Sequence, residues 1–210
     1  MKIGVIHATC NAVPPLNEAF RSKGPDVTLL NFVDENIQYH ANQKEGIDDK
    51  TFRDFVNIAT KAQEANVDII VVACTVLTPI IEKIKPFINI PILAVDYPML
   101  RRAIRDYKKI GVIATTAPSA PATKKQLEQL GENVIVDTEV NTQAMDLLKQ
   151  GNVSEHNRLN ARSASKLINR GAEVIVLAQI TQASAKEEIK KLEIPVLTSP
   201  EEAVNYILEN

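Results

Sequence analysis

An α/β fold built as two similar halves, each a parallel sheet of about four strands flanked by helices, is what the sequence predicts, and three observations predict it. Short apolar runs alternate with helical patterns along the whole chain. Such alternation calls for a parallel sheet with right-handed crossovers. The opening Lys2-Ile3-Gly4-Val5-Ile6-His7-Ala8-Thr9 recurs as Lys109-Ile110-Gly111-Val112-Ile113-Ala114-Thr115-Thr116. Two later strands recur as well, Asp68–Cys74 as Glu173–Gln179 and Ile90–Leu93 as Ile194–Leu197. From Ile3 to Ile110 is 107 residues, from Asp68 to Glu173 is 105 and from Ile90 to Ile194 is 104, a nearly constant period that chance rarely produces over three strands.

In order, Ile3–Ile6 is a buried strand, and Pro14-Pro15 opens a helix to about Lys23 with Leu16 and Phe20 on one face. Val27–Phe32 is a second strand. Val33 to Lys50 is then polar, with Asp34, Glu35, Asn36, Tyr39, His40, Asn42 and Gly46. It reads as a long functional loop or lid, or else as a solvated excursion with a short helical turn. Phe52, Phe55, Val56, Ala59 and Ala62 give a helix over 51–66, and 67–73 is the third strand. Thr78-Pro79 is an N-cap and first-position pair for a helix over 79–87. A fourth strand, 90–95, leads to Asp96-Tyr97-Pro98, the cap and start of a helix to about Tyr107. Asp96 suits that cap better than catalysis.

The second half repeats the scheme, with a helix start at 117–121, a strand at 133–137 and a helix over 140–150. A helix over 154–170 follows, capped by Ser154 and stopped by Gly171. His156, Arg158, Arg162 and Lys166 have the spacing of a solvated face on it. The last helix, 200–209, is expected to fold back on the first half. The expected domains are therefore 1–97 with 199–210, and 98–198.

Composition excludes several function classes. A net charge of -2, no Trp and only 4% aromatics leave neither a basic footprint nor stacking platforms for nucleic acid. Two cysteines, Cys10 and Cys74, and three histidines supply neither a disulfide framework nor a zinc ligand set. No GxGxxG or GxxxxGK[ST] string points to a nucleotide. Met1 leads straight into a strand without the pattern of a signal peptide, and no apolar run is long enough for a membrane span. A soluble cytoplasmic protein with reduced thiols, no metal and no cofactor is expected.

Chemistry is expected where Val71-Val72-Ala73 breaks at Cys74-Thr75. Carboxyl ends of parallel strands are where open α/β sheets bind ligands. The repeat pairs Cys74 with Gln179, and two similar halves facing each other would set these residues on opposite walls of one cleft. That geometry suits proton removal beside a carboxylate, which needs a base held close and donors aimed at the developing enolate. A thiolate is a suitable base or nucleophile. Thr75, Thr78 and the N–H groups after Cys74 are candidate donors on one side, and Thr115 and Thr116 on the other.

The paired Ile-Gly-Val-Ile openings, Ala73-Cys74-Thr75 after the third strand and the duplication resemble the aspartate/glutamate/hydantoin racemase superfamily, which includes arylmalonate decarboxylase and maleate isomerase. His7-Ala8-Thr9, Asn31–Glu35, Leu177-Ala178-Gln179 and Thr198–Glu201 resemble its aspartate/glutamate racemase-like branch. The resemblance spans nearly the whole chain. It implies a flavodoxin- or Rossmann-like fold in each half, a small carboxylate substrate, a homodimer, and Cys74 as the catalytic thiol. It further implies substrate contacts from Thr9, Asn11, Thr75, Thr115, Thr116 and Thr181. Racemases of this kind use two cysteines, one per half; here Gln179 stands at the second position, and an amide is not a base at neutral pH. Three readings follow. His7 or Cys10 could act beside Cys74 in racemisation, Cys74 alone could serve decarboxylation or cis–trans isomerisation, or the protein could bind a carboxylate without turnover. His7 also has a structural reading, as a strand-end histidine satisfied by the backbone, and Cys10 as a loop thiol outside the chemistry.

Overall fold

In a computed structural model, which describes residues 1–43, 47–75 and 77–209, the chain divides into two compact units, Met1–Val95 and Asp96–Asn210. The first contains β1 (Lys2–His7), α1 (Val13–Lys23), β2 (Thr28–Val33), α2 (Glu35–Gln43), α3 (Asp49–Glu64), β3 (Ile69–Val72), a one-turn α4 (Ile81–Ile84) and β4 (Ile92–Ala94). The second contains α5 (Tyr97–Asp106), β5 (Lys109–Ala114), α6 (Ser119–Leu130), β6 (Ile135–Val140), α7 (Thr142–Lys149), α8 (Val153–Asn169), β7 (Val174–Leu177), α9 (Lys186–Lys190), β8 (Val196–Thr198) and α10 (Ser199–Glu209). Each unit has one parallel four-stranded sheet, ordered β2-β1-β3-β4 and β6-β5-β7-β8.

The duplication extends to strand register. In the first sheet Ile6 lies opposite Phe32 and Val72, and Val72 opposite Ala94. In the second, Ile113 lies opposite Glu139 and Leu177, and Leu177 opposite Thr198. The same offsets of 107, 105 and 104 that relate the sequences relate these rows.

Burial explains the strand sequences. Parallel strands covered on both faces read as continuous apolar runs. On β5, Ile110, Val112 and Ala114 pack with Met99, Leu100 and Ala103 of α5 and Leu127 of α6, while Ile113 packs on the other face with Ala164 and Leu167 of α8. In the first unit Phe55, Ile58, Ala59 and Ala62 form the inner stripe of α3 and meet Ile6, Ile70 and Val72. The Asp48 side chain caps α3 by accepting from Thr51 N at 2.8 Å.

The shared glycine of the two openings has a packing reason. A Cβ on Gly111 would sit 3.1 Å from Ala172 Cβ, Leu167 Cβ and Ile175 Cδ1, and one on Gly4 would sit 3.1 Å from Val67 Cγ2. Gly111→Ala is expected to destabilise by about 1–3 kcal/mol through overpacking of α8 against β5. An unchanged urea midpoint would contradict that close approach.

Four expectations differ. Residues 33–50 are not a structureless lid: most form α2 and the start of α3, with Ile37 buried in the core; Gly46 lies outside the described residues. The helix expected over 79–87 is broken into a 3-10 turn at Thr78–Ile80, α4, and a second 3-10 turn at Lys85–Phe87. Pro86 accounts for the end of α4, since it lacks an N–H to continue the helix and crowds the preceding turn. The cap of α8 is Asn152, whose side chain accepts from Glu155 N at 3.2 Å, rather than Ser154. Finally, α10 falls with the second unit, where Glu202 accepts from Arg102 of α5 at 2.7 Å and Ala203, Val204 and Ile207 are buried. Its apolar stripe required a partner, and α5 and β8 supply it. The first unit ends at Val95 rather than at 97. Among the described residues no helix is long and apolar enough to cross a membrane.

Candidate active site

In the first unit, the chain leaves β1 at His7 and enters a short loop with Thr9 half-buried and Cys10 and Asn11 exposed. A 3-10 turn at Cys10–Ala12 runs into α1. Beside it, β3 ends at Val72, yet Ala73 N still donates to Ile6 O at 2.8 Å. This extra pairing carries Cys74 to the level of the β1 loop. Cys74 is 9% exposed and packs with Ile6, Ala8 and Val72.

The helix α2 reaches over both loops. The thiol of Cys74 donates to Gln38 Oε1 at 3.8 Å, and Cys10 N donates to Glu35 Oε1 at 3.0 Å. Glu35 and Gln38 are three residues apart, hence neighbours on one helix face. A polar helix face thus meets the two cysteine-bearing segments, where the sequence pattern suggests a functional loop or lid, or a solvated excursion with a short helical turn.

Thr78 is not an N-cap. Leu77 precedes the 3-10 turn, and its N–H is taken by Cys74 O at 3.0 Å. The open helix N-terminus expected behind the thiol is replaced by a tight turn. Thr75 is half-buried, and Val76 lies outside the described residues.

His7 is fully buried, and its Nε2 lies 2.8 Å from Asn31 Oδ1. With the amide oxygen as acceptor, Nε2 carries the proton and Nδ1 is a bare lone pair; that Nδ1 is buried without a partner. Ile6 and Ala8 share a core cluster with Cys74, so strand alternation turns the intervening His7 to the other face of the sheet. The structure therefore does not bring His7 and Cys74 together on one face. Asp96 occupies the N-cap position of α5 without a side-chain cap bond.

In the second unit, the position equivalent to Cys74 is firmly held. Gln179 Oε1 accepts from Thr115 N at 2.6 Å and from Thr115 Oγ1 at 2.9 Å. Its own N–H donates to Gln182 Oε1 at 3.1 Å. Gln182 Nε2 donates to Asn160 Oδ1 at 2.7 Å, and Asn160 Nδ2 lies 3.2 Å from His156 Nε2 and 2.8 Å from His156 O. His156 Nδ1 lies 2.8 Å from Ala144 O. Thr116 Oγ1 pairs with Ser119 Oγ at 2.7 Å, and Thr181 Oγ1 is buried without a partner.

This corrects the solvated face expected for His156. His156, Asn160 and Gln182 are all fully buried. The signal was present in the spacing of 156, 159, 160, 163, 164 and 167, a stripe of inward-facing positions along α8, but the interleaved arginines and lysine masked it. Among the described residues no cluster of three or more His, Cys, Asp or Glu could hold a metal ion.

Both buried histidines have a pKa below the usual 6.5, because burial outweighs the bond to Asn31 in one case and to Ala144 in the other. The unfolded chain then binds more protons than the folded one below about pH 6.5. Stability is full above that pH and is lost as pH falls through it. Urea midpoints measured from pH 8 to pH 5 are expected to fall on the acid side. A flat profile would contradict neutral burial of these rings.

The Asp/Glu/hydantoin racemase family model matches residues 3–207. Glutamate racemase of Aquifex pyrophilus is 32% identical over 139 residues, 64% of this chain and 53% of the relative, so the match spans about half the length of that protein. An aspartate racemase homologue from Pyrococcus horikoshii OT3 superposes with a TM-score of 0.76 at 17% identity, covering 99% of this chain and 97% of the other. Glutamate racemase of Francisella tularensis, solved with D-glutamate, superposes with a TM-score of 0.73 at 18% identity, covering 99% of this chain and 80% of the other. The structural likeness is one of fold, two parallel α/β sheets flanked by helices, and the family match over nearly the whole length settles the kinship: the chain belongs to the Asp/Glu/hydantoin racemase family.

Proposed function

We propose that this protein is a cofactor-independent isomerase acting at the α-carbon of a small carboxylate, an amino acid or a related acid, with Cys74 as its reactive thiol. The observation that carries the reading is a nearly buried thiol at the carboxyl end of β3, beside the β1 loop, in a chain of this family. In the proposed step the thiolate takes the α-proton, and neutral donors stabilise the enolate oxygens. Among the described residues the loops after the strands contain no Lys or Arg, so hydroxyl, amide and backbone N–H groups are the donors proposed for the substrate oxygens. Thr9, Asn11 and Thr75 are the donors proposed from the first unit, and Thr115, Thr116, Gln179 and Thr181 from the second. A homodimeric, cytoplasmic protein completes the proposal.

Gln179 favours a second reading. Inversion needs a proton delivered to the face opposite the one deprotonated, and an amide does not supply it. A single thiol suffices for decarboxylation, where the C–C bond breaks, CO₂ leaves with no electron pair, and the resulting carbanion takes the Cys74 proton. It also suffices for cis–trans isomerisation, where the thiolate adds to a double bond, the bond rotates and the thiolate leaves.

Incubation of amino acids, 2-substituted malonates and unsaturated diacids in D₂O separates these. Deuterium at the α-carbon with loss of optical activity supports racemisation; deuterium with CO₂ release supports decarboxylation; a changed double-bond geometry supports cis–trans isomerisation. Binding by thermal shift with no exchange, no CO₂ release and no change of double-bond geometry in any class would overturn both enzymatic readings.

A further inference from the structure

We infer that His156, Asn160 and Gln182 are positioning residues, a one-way hydrogen-bond chain that fixes Gln179 so that its Nε2 amide is presented as a donor to a ligand oxygen. This rests on the proposed binding of a carboxylate.

The direction of every bond follows from one fixed end. The Ala144 carbonyl can only accept, so His156 Nδ1 carries the ring proton. A neutral ring then has a bare Nε2, which must accept, and Asn160 must turn its NH₂ toward it. The Asn160 oxygen consequently faces Gln182, which must present its own NH₂, at 2.7 Å. That leaves the Gln182 oxygen to receive the Gln179 N–H at 3.1 Å. Neither amide can flip without setting donor against donor, so the chain has one arrangement. All three side chains are fully buried, where an unmatched polar group is costly.

Gln179 is gripped from two sides. Its backbone N–H is held by Gln182, and its side-chain oxygen accepts from Thr115 N and Thr115 Oγ1, with the Gln182 backbone N–H closing a reciprocal capping box on the same side chain. Among the described residues, Nε2 makes no hydrogen bond. A glutamine whose oxygen is saturated can offer a ligand only donors. This gives the position equivalent to Cys74 a defined chemical role, the recognition of a carbonyl or carboxylate oxygen.

The chain works only while His156 is neutral. A proton on Nε2 would oppose the Asn160 NH₂, and the correction would propagate through Gln182 to the Gln179 N–H. The 3-10 turn Ile180–Ala185 packed against α8 carries no charge; the other elements against α8 carry Asp146 and Lys149 on α7, Lys109 on β5, Asp137 and Glu139 on β6, and Lys186, Glu187, Glu188 and Lys190 on α9, and α8 itself carries Glu155, Arg158, Arg162 and Lys166. None of them governs the ring; burial and the Ala144 bond do.

The test is NMR of the Gln179 side-chain amide in the full-length protein, with acetate as the carboxylate probe. At pH 8 the wild type is expected to give one sharp Nε2 pair that shifts on adding acetate. Asn160→Asp removes the donor to His156, and Gln182→Glu removes the donor to Asn160. In whichever of these folds, the pair is expected to broaden and the apparent acetate affinity to fall about tenfold, the loss of about one hydrogen bond's worth of alignment. His156→Gln keeps one donor and one acceptor and should retain the sharp pair while abolishing its change between pH 8 and pH 5. A sharp, unshifted Gln179 pair in a folded Asn160 or Gln182 variant would overturn the positioning role. Wild-type acetate shifts without turnover of any of the candidate acids would leave this role standing and overturn only the enzymatic reading; no acetate shift at Gln179 would overturn the donor assignment itself.

Discussion

Cys74→Ala is expected to lower α-proton exchange by about 10²–10⁴-fold, the contribution of a positioned acid–base group. The change should leave the fold nearly intact, since Cys74 contributes one small side chain at the end of β3 rather than a large core residue. Cys74→Ser is the sharper variant. It preserves shape and the donor to Gln38, but a hydroxyl is a far weaker acid than a thiol, so exchange should fall almost as far. Gln38→Ala removes the acceptor at 3.8 Å and tests whether α2 orients the thiol; a loss of a few-fold, about one weak hydrogen bond, is expected. Cys10→Ala distinguishes the two thiols. Only the backbone N–H of Cys10 is used in its bond to Glu35, so the substitution keeps that contact. Exchange surviving in Cys74→Ala but lost in Cys10→Ala would move the reactive thiol to the β1 loop.

The doubly covered sheets were legible because burial on both faces writes itself into a sequence as uninterrupted Val, Ile and Ala, and because a duplicated unit repeats those runs at one spacing. Cys74 was legible for the same reason: a polarisable residue ending such a run lies at a strand's carboxyl end. Its neighbour Gln38 was not, since 36 residues separate the two and no local pattern joins them. The helix α2 has no sequence signature because, among its described side chains, Ile37 alone is deeply buried, and one anchor makes no periodicity. The buried chain from His156 was hidden by its composition. His and Asn at inward positions read as polar, and only their mutual bonds, which are tertiary and rotameric, make burial tolerable. The last helix shows a different limit. An amphipathic stripe announces that a face will be buried, but Ala203, Val204 and Ile207 do not specify which sheet or helix they will meet.

Phe55→Ala is expected to cost about 3–5 kcal/mol, the usual range for truncating a fully buried aromatic. Phe55 is on the inner stripe of α3, in the cluster that also contains Ile37 of α2, Ile6 and Val72 of the sheet, and Cys74. The cavity left behind would lie under α2, whose own hold on the core is mainly Ile37. Urea unfolding should show a lower midpoint, with Phe55→Leu losing much less because it preserves most of the volume. Hydrogen exchange gives the functional consequence. Amides of α2 should lose protection before those of β3, because among the described side chains of the helix Ile37 is the one deeply buried anchor, whereas the strand is paired on both sides. If the Gln38 contact orients the thiol, α-proton exchange in Phe55→Ala should fall at temperatures well below its unfolding midpoint. Equal loss of protection in α2 and β3 would instead mean that the first unit opens as a whole, and that α2 has no separate role in presenting Cys74.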